Sequence, residues 1–218
     1  MSKQFLLVLI ACVLGLGGVF WFTRDKKSTT TPPSNSSSQG KLSNNVYGKG
    51  TKNVKLVEYG DFQCPACGQF FSLVQVVKQK YQNEITFQFR HFPLVQIHKN
   101  AMAAHRSAES AAKQGKFWEM HDMLYQQQEN WSESSNATKI FESFAQQLGL
   151  DMQKYKQDFS SSEINDIINA DQQEGQRVGV SSTPTFYLND KKIDDPPKDV
   201  EGFSKLIDEA IKNSQNKQ

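Results

Sequence analysis

"GDFQCPACGQF", residues 60–70, sets Cys64 and Cys67 three positions apart, with Pro65 between them and apolar residues on both sides. Such a pair can hold a metal, fasten a loop or exchange electrons. The chain offers one other cysteine, Cys12, in a segment of a different kind. A structural zinc site takes four ligands, commonly as two such pairs, and no second pair is present. His91, His98, His105 and His121 read as surface or satisfied helix residues, with His98 and His105 seven apart on a helix that reads as packing surface. A bridge across two intervening residues closes so short a loop that it restricts the unfolded chain little.

Electron exchange fits the flanking pattern. "NVKLVEY" (53–59) is rich in β-branched and aromatic residues and apolar on both faces, as a covered central strand is. From 65 to 81, Phe70, Phe71, Val74, Val77 and Tyr81 recur at helical spacing. Cys64 therefore falls at a helix N-terminus, with Pro65 in the first turn, where its missing N–H costs nothing. The helix dipole and free backbone N–H groups there stabilise a thiolate. Cys64 is the expected nucleophile and Cys67, one turn in, the shielded resolving thiol. A low-pKa Cys64 stabilises the reduced form, which makes the disulfide a better oxidant.

A second signal stands in "GVSSTPTFYLND" (179–190). Pro184 has no N–H for a central ladder position, so Thr183-Pro184 reads as a turn entering a strand, and X-Pro is where a cis peptide is cheap. A cis Pro184 beside the cysteines would leave backbone groups able to hydrogen-bond an extended substrate strand.

The remaining elements follow from periodicity. "EITFQFRHF" (84–92) alternates as a strand. Residues 98–113 predict an alanine-rich helix ended by Gly115. Lys116 to about Gln128 continues helically, and Ile140, Phe141, Phe144 and Leu148 mark another helix closed by Gly149. Asp151 caps a short helix to Phe159, and Ile164, Ile167 and Ile168 mark one more. "NDKK" is a hairpin turn after the strand at 183–190, and residues 202–213 form a terminal helix. The expected fold is α/β: one small sheet in two parts, residues 50–97 and 178–214, interrupted by a helical insertion at 98–177.

Ahead of this domain, residues 5–22 are an uncharged apolar run of 18. At about 1.5 Å per residue it reaches about 27 Å, close to the bilayer core of about 30 Å. It ends in Phe20-Trp21-Phe22 rather than small residues, so an uncleaved transmembrane anchor after a short tail (1–4) fits better than a signal peptide. "LIAC" (9–12) resembles a lipobox, but the apolar run continues ten residues past Cys12. Residues 23–49, with the Ser/Thr/Pro tract "STTTPPSNSSSQ" (28–39), read as a solvated linker. Without residues 1–27 the chain carries 21 Lys+Arg and 22 Asp+Glu, so no basic excess points to nucleic acid.

These residues give the chain a resemblance to the thioredoxin superfamily, and within it to the membrane-anchored DsbA-like thiol–disulfide oxidoreductases of bacteria. "VEYGDFQCPAC" (57–67) and "GVSSTPTFYLN" (179–189) carry it, with "RHFPL" (90–94) and "GKFWEMHDMLYQQQENW" (115–131) in support. The resemblance implies a thioredoxin-like fold with an inserted helical domain, a cis peptide before Pro184, and no cofactor or metal beyond the redox-active disulfide Cys64–Cys67. It implies that Glu58, six residues before Cys64, is a buried acid relaying protons beneath the disulfide. In a covered strand its unpaired carboxyl would titrate high. Pro65, Ala66, Thr183 and Pro184 would tune the site and receive substrate, with apolar surface near Phe62, Pro65 and Pro184. Ala66 stands where strongly oxidising members carry histidine, and Thr183 occurs in several subgroups, isomerases among them.

The function implied is oxidation of cysteines in unfolded or secreted proteins on the extracytoplasmic side, where disulfides persist. The implied recycling partner is a DsbB-like or quinone-linked oxidase in the membrane. A surface reductase or isomerase is the alternative, with a non-enzymatic anchored binding module behind it. Residues 28–49 are too short for the dimerisation domain that dedicated isomerases add.

Overall fold

The computed structural model describes residues 40–216. The apolar run at 5–22, Cys12 and the linker as far as residue 39 lie outside them. Among the described residues no helix is long and apolar enough to cross a membrane.

The elements in chain order are β1 (Asn45–Tyr47), β2 (Val54–Gly60), α1 (Pro65–Lys80), β3 (Ile85–His91), α2 (Ala101–Ala112), α3 (Phe117–Gln126), α4 (Gln128–Trp131), α5 (Ala137–Gln147), α6 (Met152–Phe159), α7 (Ser162–Arg177), β4 (Thr185–Leu188), β5 (Lys191–Ile193) and α8 (Val200–Gln215). The strands form one sheet in the order β1-β3-β2-β4-β5. β2 and β3 run parallel through the α1 crossover, and every other neighbouring pair is antiparallel.

β2 sits at the centre, and its two-sided apolar pattern has a direct cause. Val54 and Leu56 pack with Val74 and Val77 of α1 and with Phe203 and Ile207 of α8. Val57 and Tyr59 point the other way, toward Phe92, Val180 and Tyr187. The helices between β3 and β4 close over a third cluster that takes in Phe62, Cys67 and Phe89, with Trp131, Phe141 and Met120 wholly buried. Side chains of this size contribute about 2–3 kcal/mol each when fully buried, so the site's floor is fastened to both halves of the molecule.

Local signals act where expected. Asp151 Oδ1 accepts the N–H groups of Gln153 and Lys154 at 2.9 and 3.0 Å, starting α6. Asn189 and Asp190 both have positive φ (48° and 64°) in the two-residue β4–β5 turn, the left-handed pair that matches the twist of a hairpin.

Three expectations are corrected. The stretch read as linker to residue 49 becomes strand at β1, and Ser43 and Asn45 are buried. Three residues are too few to show a period, and β1 is fastened by distant side chains instead: Asn45 Nδ2 donates to Glu109 Oε1 at 2.5 Å and Ser43 N to Asp171 Oδ1 at 3.0 Å. The helix expected from residue 98 begins at Ala101, because Asn100 N donates to Gln63 Oε1 at 2.7 Å and residues 94–98 turn back on themselves. The helix expected through Gln128 breaks at Gln127, and α4 opens as a separate turn.

Candidate active site

Cys64 is the N-cap of α1, extended at φ −68° and ψ 121°, and Pro65 opens the helix. The two cysteines are free thiols, Cys64 7% exposed and Cys67 wholly buried. The loop between β2 and Cys64 is held from several sides. Cys64 N donates to Asp61 O at 3.0 Å, and Gln128 Nε2 donates to Phe62 O and Cys64 O at 2.7 and 3.0 Å. A Cβ at Gly68 would stand 2.5 Å from Gln128 Oε1, so glycine there is what lets α4 lie against the active-site turn.

The Cys64 thiol donates to Thr183 O at 3.4 Å, and the Thr183–Pro184 peptide is cis. The two motifs, 119 residues apart, therefore meet at one sulfur. Cys64 titrates far below an ordinary thiol, at about 5. The Cys67 thiol contributes most to this, against desolvation, and Thr183 and the backbone N–H groups of Cys67 and Ala66 add to it. Thr183 Oγ1 is buried with no hydrogen-bond partner, a donor available to the thiolate. The Cys67 thiol first, then Thr183 and the helix N-terminal N–H groups, thus stabilise the thiolate with no imidazole at position 66. Pro65 is exposed, while Ala66 and Pro184 are half-buried.

Behind the pair the environment reverses. Cys67 is pushed well above the ordinary thiol value, by burial first and then by Cys64. Glu58, 3% exposed, pairs in register with Phe89 and Phe186 in the sheet. Burial raises its carboxyl to about 8, with Lys78 pulling back and Cys64 pushing further. Lys78 of α1 is itself buried, its Nζ 3.7 Å from Asp122 Oδ1 and 4.3 Å from the Trp118 ring centroid. Desolvation lowers its pKa. A carboxyl that titrates near neutrality in this layer can hold or release the proton that Cys67 needs.

Sequence reasoning missed a polar network on the other flank. Asp61, wholly buried, accepts Gln63 N through Oδ1 and Leu94 N through Oδ2, each at 2.9 Å. His98 Nδ1 lies 2.7 Å from Asp61 Oδ2, and His105 Nε2 lies 3.7 Å from Oδ1. Burial works to raise Asp61, but His105, His98 and the Leu94 N–H together hold it below the usual carboxylate range. His105 continues to His91 (2.6 Å between Nδ1 atoms), and His91 Nε2 to Glu109 Oε1 (2.7 Å). The reading of the histidines as hydrogen-bonded helix residues holds for His105 and His121, and is corrected for His91, a strand residue, and His98, which precedes its helix. His91, His105 and His121 are buried core residues whose rings surround Phe62, and His98 lies in the turn ahead of α2. Phe62 is fully buried beneath them, so it cannot form the apolar surface expected at that position. The signal was Asp61 itself, an acidic residue between a covered strand and an apolar residue.

Beside Cys64 opens a groove of about 600 Å³ whose lining includes Gln63, Pro65, Gly68, His98, Tyr125 and Gln128. Among the described residues no group of His, Cys, Asp and Glu is arranged to hold a metal.

The thioredoxin family model matches residues 41–209. Among curated proteins, the Na(+)/H(+) antiporter NhaA 1 of Mycobacterium sp. (strain KMS) is 34% identical over 145 residues, 65% of this chain but 22% of the antiporter. The chain thus spans about a fifth of the length of the first relatives it matches. A probable disulfide bond formation protein D of Bacillus anthracis is 27% identical over 170 residues, covering 76% of this chain and 77% of that protein. The crystal structure of Wolbachia pipientis alpha-DsbA1 superposes with a TM-score of 0.69 at 20% identity, covering 82% of this chain and 96% of the other. Two cysteines at a helix N-terminus, a cis-proline turn against the first of them and a match across most of the described residues lead to one conclusion: the chain belongs to the thioredoxin family, with the DsbA-type form of its fold.

Proposed function

We propose that this protein is an extracytoplasmic thiol–disulfide oxidoreductase that oxidises cysteines of secreted or unfolded proteins by exchange through Cys64-Pro65-Ala66-Cys67. The placement of Cys64 supports this direction of electron flow: it caps α1, its Sγ lies 3.4 Å from Thr183 O beside the cis peptide, and Cys67 together with these neighbours pulls its thiol down to about 5. A thiolate favoured to that extent stabilises the reduced enzyme and leaves readily from a mixed disulfide, and both effects favour donating disulfides over accepting them. The similarity to a probable disulfide bond formation protein D supports the same reading.

In this reading a substrate thiolate attacks Cys64 of the disulfide and Cys67 departs, taking a proton from Glu58. A second substrate thiolate then resolves the mixed disulfide and releases Cys64. The apolar run at 5–22 anchors the domain in the membrane, facing outward, where a DsbB-like or quinone-linked oxidase restores the disulfide. The deciding measurement is the reduction potential of Cys64–Cys67 by equilibration with glutathione. A value near about −120 mV is expected for a disulfide donor, whereas about −270 mV makes the protein a reductase and ends the oxidase reading.

A further inference from the structure

The His98 imidazole is held in an orientation that the exchange chemistry above leaves unused. Its Nδ1 lies 2.7 Å from Asp61 Oδ2, and its side chain is 15% exposed against 0% for Asp61. With Asp61 ionised, Nδ1 is the proton donor of that bond, so in the neutral ring Nε2 carries the lone pair. The ring lines the same groove as Gln63 and Pro65, the two neighbours of Cys64. Asp61 does not need His98 to fasten the loops, because the Gln63 and Leu94 N–H groups already do that.

We propose that His98, oriented by Asp61, is a catalytic base that takes the proton from the incoming substrate thiol. This rests on the oxidoreductase reading above. An ordinary cysteine has a pKa of about 8.5, so only about 3% is thiolate at pH 7. Cys64 needs no help, and Glu58 serves Cys67 on the buried side, which leaves the substrate's own proton without an acceptor. In the proposed step the substrate S–H gives its proton to His98 Nε2, and its sulfur pair forms the bond to Cys64 Sγ. The Cys64–Cys67 bond breaks, and its electron pair leaves on Cys67, which is protonated from Glu58. The substrate thiol is oxidised to the mixed disulfide and Cys67 is reduced. His98 releases its proton to solvent and repeats the service for the second substrate thiol, which attacks the first substrate sulfur and expels Cys64 as thiolate.

The charged and titratable groups facing His98 are Asp61 and His105 behind it and Tyr125, Glu129 and Glu133 along the groove. Lys99 already pairs with Glu133 at 3.0 Å. His98 is the one imidazole among the groove's lining residues, and the second inner position of the motif is Ala66.

The test is the second-order rate at which the oxidised protein oxidises a dithiol peptide from pH 6 to 9.5, for wild type, H98Q and H98A, with the pH profile of Cys64 alkylation measured in each. The expected result is a loss of about tenfold at pH 7 that vanishes above about pH 9, where the peptide thiols ionise unaided. Added imidazole restores H98A at pH 7, and Cys64 alkylation is unchanged. Equal rates at pH 7, a loss of the same size at every pH, or a displaced Cys64 titration each overturn the assignment. A wild type inactive toward the peptide at every pH overturns the oxidase reading and this inference with it. An active wild type matched by H98Q overturns this inference alone.

Discussion

The two cysteines are one helical turn apart, yet their surroundings do opposite things to charge. Cys64 sits where helix N–H groups, the Cys67 thiol and Thr183 converge, and its thiol falls to about 5. Cys67 sits among Phe62, Phe89 and Met120 in a layer where burial lifts it, and Glu58 rises to about 8. One side of the turn holds an anion and the other holds a proton. A disulfide between such unlike neighbours is polarised before any substrate arrives: Cys64 is the better leaving group, while Cys67 departs as a thiolate only if a proton follows it.

The largest expected effect separates the two sulfurs. C64S should lose exchange with a dithiol peptide altogether, while C67S should still attack mixed disulfides and then stall, so that the trapped species accumulates on a non-reducing gel. If C64S traps substrate and C67S does not, the comparison is reversed and the helix N-terminus does not select the nucleophile.

Next comes Glu58, where the two sides have opposite pH dependence. Glu58 is a group with a raised folded pKa: its contribution to stability is full below about pH 4.5 and is lost as pH rises through about 8. Cys64 in the reduced protein has a depressed one: its contribution is full above about pH 9 and is lost as pH falls through about 5. E58Q removes only the first. Its stability relative to wild type should therefore grow between pH 4.5 and 8, by up to about 3 kcal/mol at pH 7, as read by urea unfolding across pH. Protonation of Cys67 should slow in the same variant. A stability difference that stays flat across that range would mean Glu58 is not carrying a buried proton.

The two sides also differ in how well they could be read from sequence. β2, α1 and the Thr183–Pro184 turn announce themselves through period two, period three-to-four and a proline at a strand entry, all local signals. Even the face shared by Val54, Leu56 and Glu58 follows from alternation alone. The partners of those residues do not. Lys78 lies in "KQK" at the end of α1 (78–80) and looks like a solvated lysine, because nothing nearby in sequence tells of Trp118 and Asp122 closing over it. Phe62 next to Cys64 looks like an exposed aromatic lip until the rings of His91, His105 and His121 are placed around it by β3, α2 and α3. Four histidines scattered over 31 residues show no ligand spacing. Their arrangement around Phe62 and Asp61 exists only after three elements pack. The network is tertiary, and a single sequence encodes it without displaying it.

Lys78 gives the finest test of the comparison, because it acts on the buried side alone. It is the group pulling Glu58 back toward ionisation, and it is held by Asp122 and the Trp118 ring rather than by water. K78M keeps the length and apolar stem of the side chain and removes the charge. The loss of the cation over Trp118 costs about 1–2 kcal/mol at a desolvated site, and His121, 2.8 Å from Asp122, remains that carboxylate's neighbour. Without the ammonium, Glu58 should titrate higher still, so the pH at which Cys67 protonation begins to fail moves upward. The Cys64 alkylation profile should not move, since none of the main groups that set it involves Lys78. A K78M protein in which both titrations shift together would show that the two sides of the turn are one coupled unit, and the contrast between them would then be a matter of degree.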